Sequence, residues 1–364
     1  MRVALRVDSS SDVASGHLIR CLALATALSD KGANCTFIAR NHHGNLNHRV
    51  TDAGFALRSM DVHPVDDPEF VSRLGATVSR DAAETAEFLS DIEPDWLVID
   101  HYSLNESWES LVRVGGMRIL VIDDLANRRH DCDALLDQNF PADTSQRYSG
   151  LVPPGSALML GPRYALLNPE FAVQRAHLAA HPERLRDRIL VTFGAGDPDN
   201  LTEMSLEALS APSLRGIPAD IVMGSDSARA ESIRRLSARR PGTRVHGPQP
   251  NLALLMAATR ASIGAGGTTV WERLSMGIPS VVVSMAPNQE LVCRTLAGLR
   301  LIHYIGSSET VSPALIARAC EAALQDPPPL VIDGATGDYQ VDGMGATRVA
   351  KFMVAVPPGD APDP

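Results

Sequence analysis

The sequence predicts an α/β protein built from two doubly wound, parallel-sheet domains whose strand ends face a shared cleft. Three observations carry this. Short apolar runs alternate with helix-length amphipathic stretches, the pattern of a parallel sheet covered on both faces. The rhythm breaks in a Pro- and Gly-rich interval and restarts at residue 189. Six polar, acidic or Gly-rich clusters (residues 8–17, 100–102, 123–124, 194–200, 264–269 and 286–289) each follow an apolar run, and open parallel sheets bind ligands beyond those strand ends. A chain of 364 residues also suits two domains of roughly 150–200 residues each. The expected division is residues 1–167, a connection over 168–188, a second domain over 189–356, and a Pro-rich tail over 357–364.

In the first half, Val3–Val7 reads as a buried strand and Leu18–Leu28 as a helix, with Gly32 placed as its C-cap. Cys35–Ala39 is the next strand. Thr77–Ile92 has helical periodicity, which Pro94 ends before the strand Trp96–Ile99. A helix over Ser103–Val114 stops at Gly115-Gly116, and the strand Ile119–Ile122 runs into Asp123-Asp124. Prolines and glycines then mark loops around a short strand, Ala157–Leu160.

The second half repeats the pattern. Ile189–Phe193 is a strand followed by a Gly-rich loop and a helix through Leu209. Strands are expected at Ile221–Met223, Thr243–His246, Ala261–Ile263 and Ser280–Ser284, and helices at Ser227–Ala238, Leu252–Ala258, Ala314–Leu324 and Ala346–Val354. A further helix runs to Met276 from Gly264-Ala265-Gly266-Gly267-Thr268-Thr269.

Composition narrows the function classes. Hydrophobic residues at 45% with 21% charged residues describe an ordinary soluble protein, and a net charge of -10 argues against an extended nucleic-acid surface. The five cysteines, Cys21, Cys35, Cys132, Cys293 and Cys320, are scattered and form neither a disulfide framework nor a zinc motif. No signal-like or membrane-length apolar run is present, so a cytoplasmic location is expected. His42, His43 and His48 invite a metal reading, but no nearby carboxylate or cysteine completes a ligand set.

The chemistry concentrates at strand ends. His17 lies where a polar Ser/Asp/Gly loop meets a helix N-terminus, a place that favours anions, and histidine is the side-chain type there that could take a proton near neutral pH. A capped helix with a solvated histidine is the alternative. The 264–269 loop suits a diphosphate, since its glycines let the backbone approach closely and Thr268-Thr269 open a helix. It is neither a Walker A loop nor a dinucleotide fingerprint; glycines that merely permit tight packing are the other reading. Glu272, one turn further on, could accept hydrogen bonds from ribose hydroxyls or be a surface carboxylate. Asn288 and Gln289 can donate and accept toward a sugar. Gly194 belongs to a second anion-friendly loop or to a plain turn, and Arg128-Arg129-His130 to a phosphate contact or a solvated basic loop.

These residues also carry a resemblance. Gly16-His17-Leu18-Ile19-Arg20-Cys21, Asp123-Asp124-Leu125-Ala126, Asp137-Gln138-Asn139 and Gly161-Pro162-Arg163-Tyr164 occur in order with Gly264-Ala265-Gly266-Gly267, Trp271-Glu272-Arg273 and Asn288-Gln289. Together they resemble the UDP-2,4-diacetamido-2,4,6-trideoxy-β-L-altropyranose hydrolase family of pseudaminic acid biosynthesis and its spore-coat-polysaccharide relatives. The resemblance spans essentially the whole chain.

It implies a GT-B-like pair of Rossmann-like domains and a cofactor-free, metal-independent, inverting cleavage of the sugar C1–O bond that gives UDP and a free sugar. By resemblance His17 is the key histidine, Tyr102 the active-site tyrosine, Asn288 a substrate contact and Glu272 the ribose carboxylate. Asp8 and Asp100 are then the alternative bases or orienting partners of His17. Ser15, Gly16, Arg20, Asp100, Asn288 and Gln289 are expected to contact the sugar. Gly194, Gly264, Gly266, Gly267, Thr268, Thr269 and Glu272 are expected to hold UDP. Ala14 departs from the family, which usually has glycine there. Rival readings are a GT-B glycosyltransferase using a UDP-sugar, a hydrolase of another nucleotide sugar, and a non-catalytic nucleotide-sugar binder. A monomer with no nucleic-acid or membrane partner is expected.

Overall fold

The computed structural model describes residues 1–10, 16–63, 73–139, 146–182, 185–194, 197, 199–224, 229–325 and 341–356. Ala14, Ser15, Ala195, Gly196 and the expected tail from residue 357 lie outside the described residues. The chain divides into two compact units: residues 1–169 with 344–364, and residues 170–343.

Unit 1 holds a sheet of strands β1 (Arg2–Val7), β2 (Asn34–Arg40), β3 (Ala56–Met60), β4 (Trp96–Asp100), β5 (Arg118–Ile122), β6 (Ala134–Asp137) and β7 (Ala157–Leu160). Their spatial order is β3-β2-β1-β4-β5-β6-β7, and every pairing is parallel. Over residues 1–169 its described α-helices are α1 (Gly16–Ser29), α2 (His48–Asp52), α3 (Val78–Ile92) and α4 (Glu106–Val112).

The period-2 alternation of strand side chains explains why both faces of the sheet are covered. Val3, Leu5 and Val7 of β1 join Leu18 and Leu24 of α1 in one core. Ala4 joins Leu97, Leu89 of α3 and Trp108 of α4 in a second core. Local signals bound the helices, α3 at its expected limits and α4 inside its expected span of Ser103–Val114. Thr77 caps α3 by accepting the Arg80 N–H at 3.3 Å, and Glu93 closes it in the left-handed region at φ 45° before Pro94. Asn105 caps α4 through the Ser107 N–H at 3.2 Å.

Unit 2 repeats the plan with β8 (Arg188–Thr192), β9 (Ala219–Val222), β10 (Thr243–His246), β11 (Thr259–Ala265), β12 (Ser280–Ser284) and β13 (His303–Ser307). The order β10-β9-β8-β11-β12-β13 reproduces that of the first six strands of unit 1. Its helices are α5 (Glu170–Ala180), α6 (Leu201–Ala208), α7 (Ala230–Ala238), α8 (Ala253–Ala257), α9 (Thr269–Ser275), α10 (Pro287–Gly298) and α11 (Pro313–Gln325). One core gathers Ile189, Val191, Ile221, Ile263, Val281 and Val283 under α6 and α11.

The unit boundaries differ from the expected ones in two places. The segment expected to be an interdomain connection contains α5, which packs on α8 and α9 and belongs to unit 2. The last helix, α12 (Gly345–Ala355), follows unit 2 in sequence but belongs to unit 1, where it packs along α1. Its apolar positions Val349, Ala350 and Met353 enter the unit 1 core, and the Trp96 indole N–H donates to Met353 O at 3.2 Å. Spacing shows that a helix has an apolar face, not which sheet that face will cover.

Candidate functional site

Both sheets reverse their winding once, between β1 and β4 in unit 1 and between β8 and β11 in unit 2. Ligand crevices of open α/β sheets form beyond the strand ends at such points. In unit 1 the parallel register sets Val7 opposite Asp100, so the chain leaving β1 and the chain leaving β4 emerge side by side.

His17 stands in the first turn of α1 and is 8% exposed. Its Nδ1 lies 2.5 Å from Asp100 Oδ1. Because an ionised carboxylate only accepts, Nδ1 presents its proton to Asp100, and Nε2 is the ring nitrogen that Asp100 does not engage. Among the described residues no hydrogen bond is made at Nε2. Arg20, one turn along α1, donates from Nε to Asp100 Oδ2 and from Nη2 to Oδ1, both at 2.6 Å. Burial alone would raise the Asp100 carboxyl, but Arg20 and then His17 outweigh it and hold it far below the usual carboxylate range. The Tyr102 ring meets the imidazole edge-on, with centroids 4.5 Å apart. Its hydroxyl donates to Asp124 Oδ1 at 2.8 Å. Burial and the Asp124 charge push the phenol well above its ordinary value, so it keeps its proton.

Three expected roles change on this geometry. Asp8 is 1% exposed and is engaged by arginine on both oxygens. Its two oxygens accept from Arg6 Nη1 and Nη2 at 2.5 and 2.9 Å, and Oδ1 also takes the Arg40 backbone N–H at 2.8 Å. Arg6, acting against burial, holds Asp8 well below the carboxylate range; it is a structural anion rather than a base. Asp100, expected both against the sugar and as a partner of His17, is 1% exposed with both oxygens occupied. Arg20, expected on the substrate, is 3% exposed and commits its guanidinium to Asp100 and Asp124. Asp124 is the participant that sequence reading left without a role, although its place directly after β5 was the available signal. His42 and His101 turn to Asp8, with Nε2 atoms 3.5 and 3.4 Å from Oδ2. No metal-ligating group of three or more His, Cys, Asp or Glu residues forms among the described residues. His130 is buried against Glu109 at 2.7 Å, and Arg128 pairs with Asp123 at 2.8 Å.

In unit 2 the glycines divide by purpose. A Cβ at Gly264 would lie 2.2 Å from Arg273 Nη1 and 2.5 Å from Thr192 O, and one at Gly266 would lie 2.4 Å from Cys293 Sγ. Both glycines therefore admit neighbouring protein groups. The Gly266 N–H is also spent on Val283 O at 3.0 Å. Gly267 meets only Gln289 Nε2, at 3.5 Å. Gly267, Thr268 and Thr269 are half-buried and lead into α9, where the Val270 and Trp271 N–H groups already donate to Gly267 O and Thr268 O at 2.9 and 3.1 Å. Gly194 needs its glycine for another reason, a φ of +82° with open space beside it.

Glu272 of α9 is 7% exposed, and its Oε2 is buried without a hydrogen-bond partner. Burial pushes its carboxyl up to about 7. Arg273 beside it is fully buried, donates to Ala265 O at 2.5 Å, and leaves Nε and Nη1 unpaired. Burial draws its guanidinium down to about 10. Asn288 and Gln289 occupy the first turn of α10, where Gln289 Oε1 accepts the Met285 N–H at 2.9 Å. Asp197 closes its own loop by accepting the Leu201 and Thr202 N–H groups at 2.9 and 3.0 Å.

Comparison with known proteins agrees with this architecture. No protein-family model matches the chain. The chain is 25% identical over 298 residues to the UDP-2,4-diacetamido-2,4,6-trideoxy-β-L-altropyranose hydrolase of Campylobacter jejuni, covering 82% of this chain and 96% of that protein. It is 27% identical over 194 residues to the spore coat polysaccharide biosynthesis protein SpsG of Bacillus subtilis, covering 53% and 57% of the two chains. Among solved structures it superposes on MurG of Acinetobacter baumannii with a TM-score of 0.61 at 14% identity, covering 98% and 99% of the chains. It superposes on UGT89C1 of Arabidopsis thaliana, solved with UDP-L-rhamnose, with a TM-score of 0.64 at 14% identity and coverage of 97% and 98%. By sequence the chain is a relative of the trideoxy-altropyranose hydrolase and of SpsG, built on the two-domain GT-B architecture.

Proposed function

We propose that the protein is a hydrolase of a UDP-sugar, with UDP-2,4-diacetamido-2,4,6-trideoxy-β-L-altropyranose as the first substrate to test and pseudaminic acid biosynthesis as its setting. The carrying observation is the His17–Asp100 pair at the switch point of unit 1, with Nδ1 fixed and Nε2 available. In this reading Nε2 removes a proton from water as the water oxygen bonds to the sugar C1. The C1–O bond to the diphosphate breaks with inversion, and UDP leaves with the electron pair. UDP is a good leaving group, so no acid is required on its side. A positioned general base supplies typically ~10²–10⁴-fold.

Unit 2 supplies nucleotide recognition. The unpaired Glu272 carboxylate suits ribose hydroxyls, and the backbone N–H groups of residues 267–269 suit the diphosphate. Asn288 and Tyr102 are assigned to the sugar. The likeness to MurG and UGT89C1 in fold supports a second reading, transfer of the sugar to an alcohol acceptor.

The deciding experiment follows UDP release from a panel of UDP-sugars in ¹⁸O-water with chelator and without acceptor. Label in the released sugar supports hydrolysis at C1, whereas label in UDP means attack at phosphorus and removes the mechanism. Release only on adding an acceptor moves the assignment to glycosyl transfer.

A further inference from the structure

The buried charges around His17 carry a further assignment, which rests on reading His17 as the base. Among the described residues, the titratable or charged groups facing its ring are Asp100 and Tyr102 from β4 and the loop after it, Arg20 from α1, and Asp124 just past β5, with the Cys21 thiol behind them on Asp100. Burial and the nearby carboxylates raise both the Cys21 thiol and the Tyr102 phenol, so each stays neutral through the physiological range. Two carboxylates and one guanidinium remain.

That guanidinium is placed to act on the imidazole. Arg20 grips both oxygens of Asp100 and reaches Asp124 Oδ2 with Nη1 at 3.1 Å. Its Nη2 lies 3.1 Å from His17 Nδ1. A histidine held only by a buried carboxylate is drawn toward the imidazolium form, and an imidazolium cannot take a proton from water. A cation at that distance, with little solvent between, opposes the effect. The Asp124 carboxylate works the other way, tempering the cation while anchoring both Arg20 and the Tyr102 hydroxyl.

We infer that Arg20 and Asp124 are a balanced pair of positioning residues that set the pH window in which His17 serves as a neutral base. Both act through His17. Removing Arg20 leaves Asp100 and Asp124 uncompensated beside the ring and favours its protonated form. Removing Asp124 leaves the cation less opposed and disfavours it. The two substitutions therefore move the same titration in opposite directions, which a purely structural role for either residue would not do.

The test follows the His17 imidazole by NMR in ¹⁵N-histidine-labelled, substrate-free protein across a pH series, alongside kcat/KM profiles for the turned-over UDP-sugar. Arg20→Gln is expected to raise the His17 titration midpoint by about one pH unit or more, the size of a single close charge. Asp124→Asn is expected to lower it by about half a unit or more. Arg20→Lys, which keeps the charge, should return the midpoint toward wild type. The acid limb of kcat/KM should move with each midpoint. Midpoints that shift the same way in Arg20→Gln and Asp124→Asn, or that stay fixed while rates fall, overturn the inference. If Arg20→Gln does not fold, Asp124→Asn decides alone by the sign of its shift, since its amide oxygen still accepts the Tyr102 hydroxyl. The titration needs no substrate. Opposite shifts without any turnover would keep the charge pair and remove the hydrolase reading; turnover with fixed midpoints would do the reverse.

Discussion

The switch points of the two sheets share a topology and differ in how their buried charges are satisfied. In unit 1 the described carboxylates near His17 have partners inside the protein, since Asp100 and Asp124 share Arg20, and Asp8 at the end of β1 holds Arg6. In unit 2 Glu272 Oε2 and two nitrogens of Arg273 are buried with no partner. Leaving a charged group buried and unpaired is costly, so the second arrangement is one that a ligand can complete, while the first is already set for chemistry.

The sharpest break of this comparison is His17→Ala. It should lower kcat by ~10²–10⁴-fold, the range of a general base, and leave UDP affinity measured by calorimetry unchanged. An equal loss of UDP affinity would erase the division of labour. Next is Asp100→Leu, which strands Arg20 in the core of unit 1 and should cost about 3–5 kcal/mol in urea unfolding. Glu272→Gln should cost less, because the native Oε2 makes no hydrogen bond and only the charge of the neighbouring Arg273 is left less balanced. Glu272→Ala should weaken UDP binding about 10–100-fold, as expected for losing hydrogen bonds to a charged group at about 1.5–3 kcal/mol, with kcat little changed at saturating substrate.

The smallest effect is a pH dependence. Burial raises the Glu272 carboxyl from 4.5 to about 7, so the folded, unliganded protein binds this proton more tightly than the unfolded chain. Its contribution to stability is present below pH 4.5 and is lost as pH rises through about 7. Donor hydroxyls favour the ionised form instead. UDP affinity should therefore increase as pH rises through that same interval, and Glu272→Gln should flatten both trends. Comparing melting curves of the two proteins separates this effect from Asp137, which burial raises to about 6.

The sequence made legible those elements whose burial leaves an apolar run. The central strands β1, β4, β5, β8 and β12 are of this kind, and so are the loops that follow them. Sequence reading passed over β3, whose pattern is mostly exposed, and β13, where every residue is half-buried, because edge strands need no continuous apolar face. It also passed over β6, four fully buried residues with too little length for a period to show. In the site, strand-end positions singled out His17 and the Asp100–Tyr102 cluster, whereas the roles expected of Tyr102 and Glu272 came from the family resemblance. Such positions could not assign direction: whether Asp8 or Asp100 meets His17 depends on a register between strands 93 residues apart in sequence, Val7 against Asp100. Nor could spacing distinguish a glycine that admits a ligand from one that admits Arg273 or Cys293, since that depends on which side chain the tertiary fold brings beside it.

The placement of α12 has a consequence for biosynthesis. Residues 170–343 form a unit inserted between two parts of unit 1, so on the ribosome unit 2 has all its residues before the helix that completes unit 1 emerges. Until then the face of α1 that receives Val349 and Met353, both fully buried in the finished protein, has no cover. Each of those side chains is worth about 1.5–3 kcal/mol on burial. The half of the molecule that carries His17 is thus begun first and sealed last, and a nascent or truncated chain ending near residue 343 would present an open apolar seam for chaperones to guard.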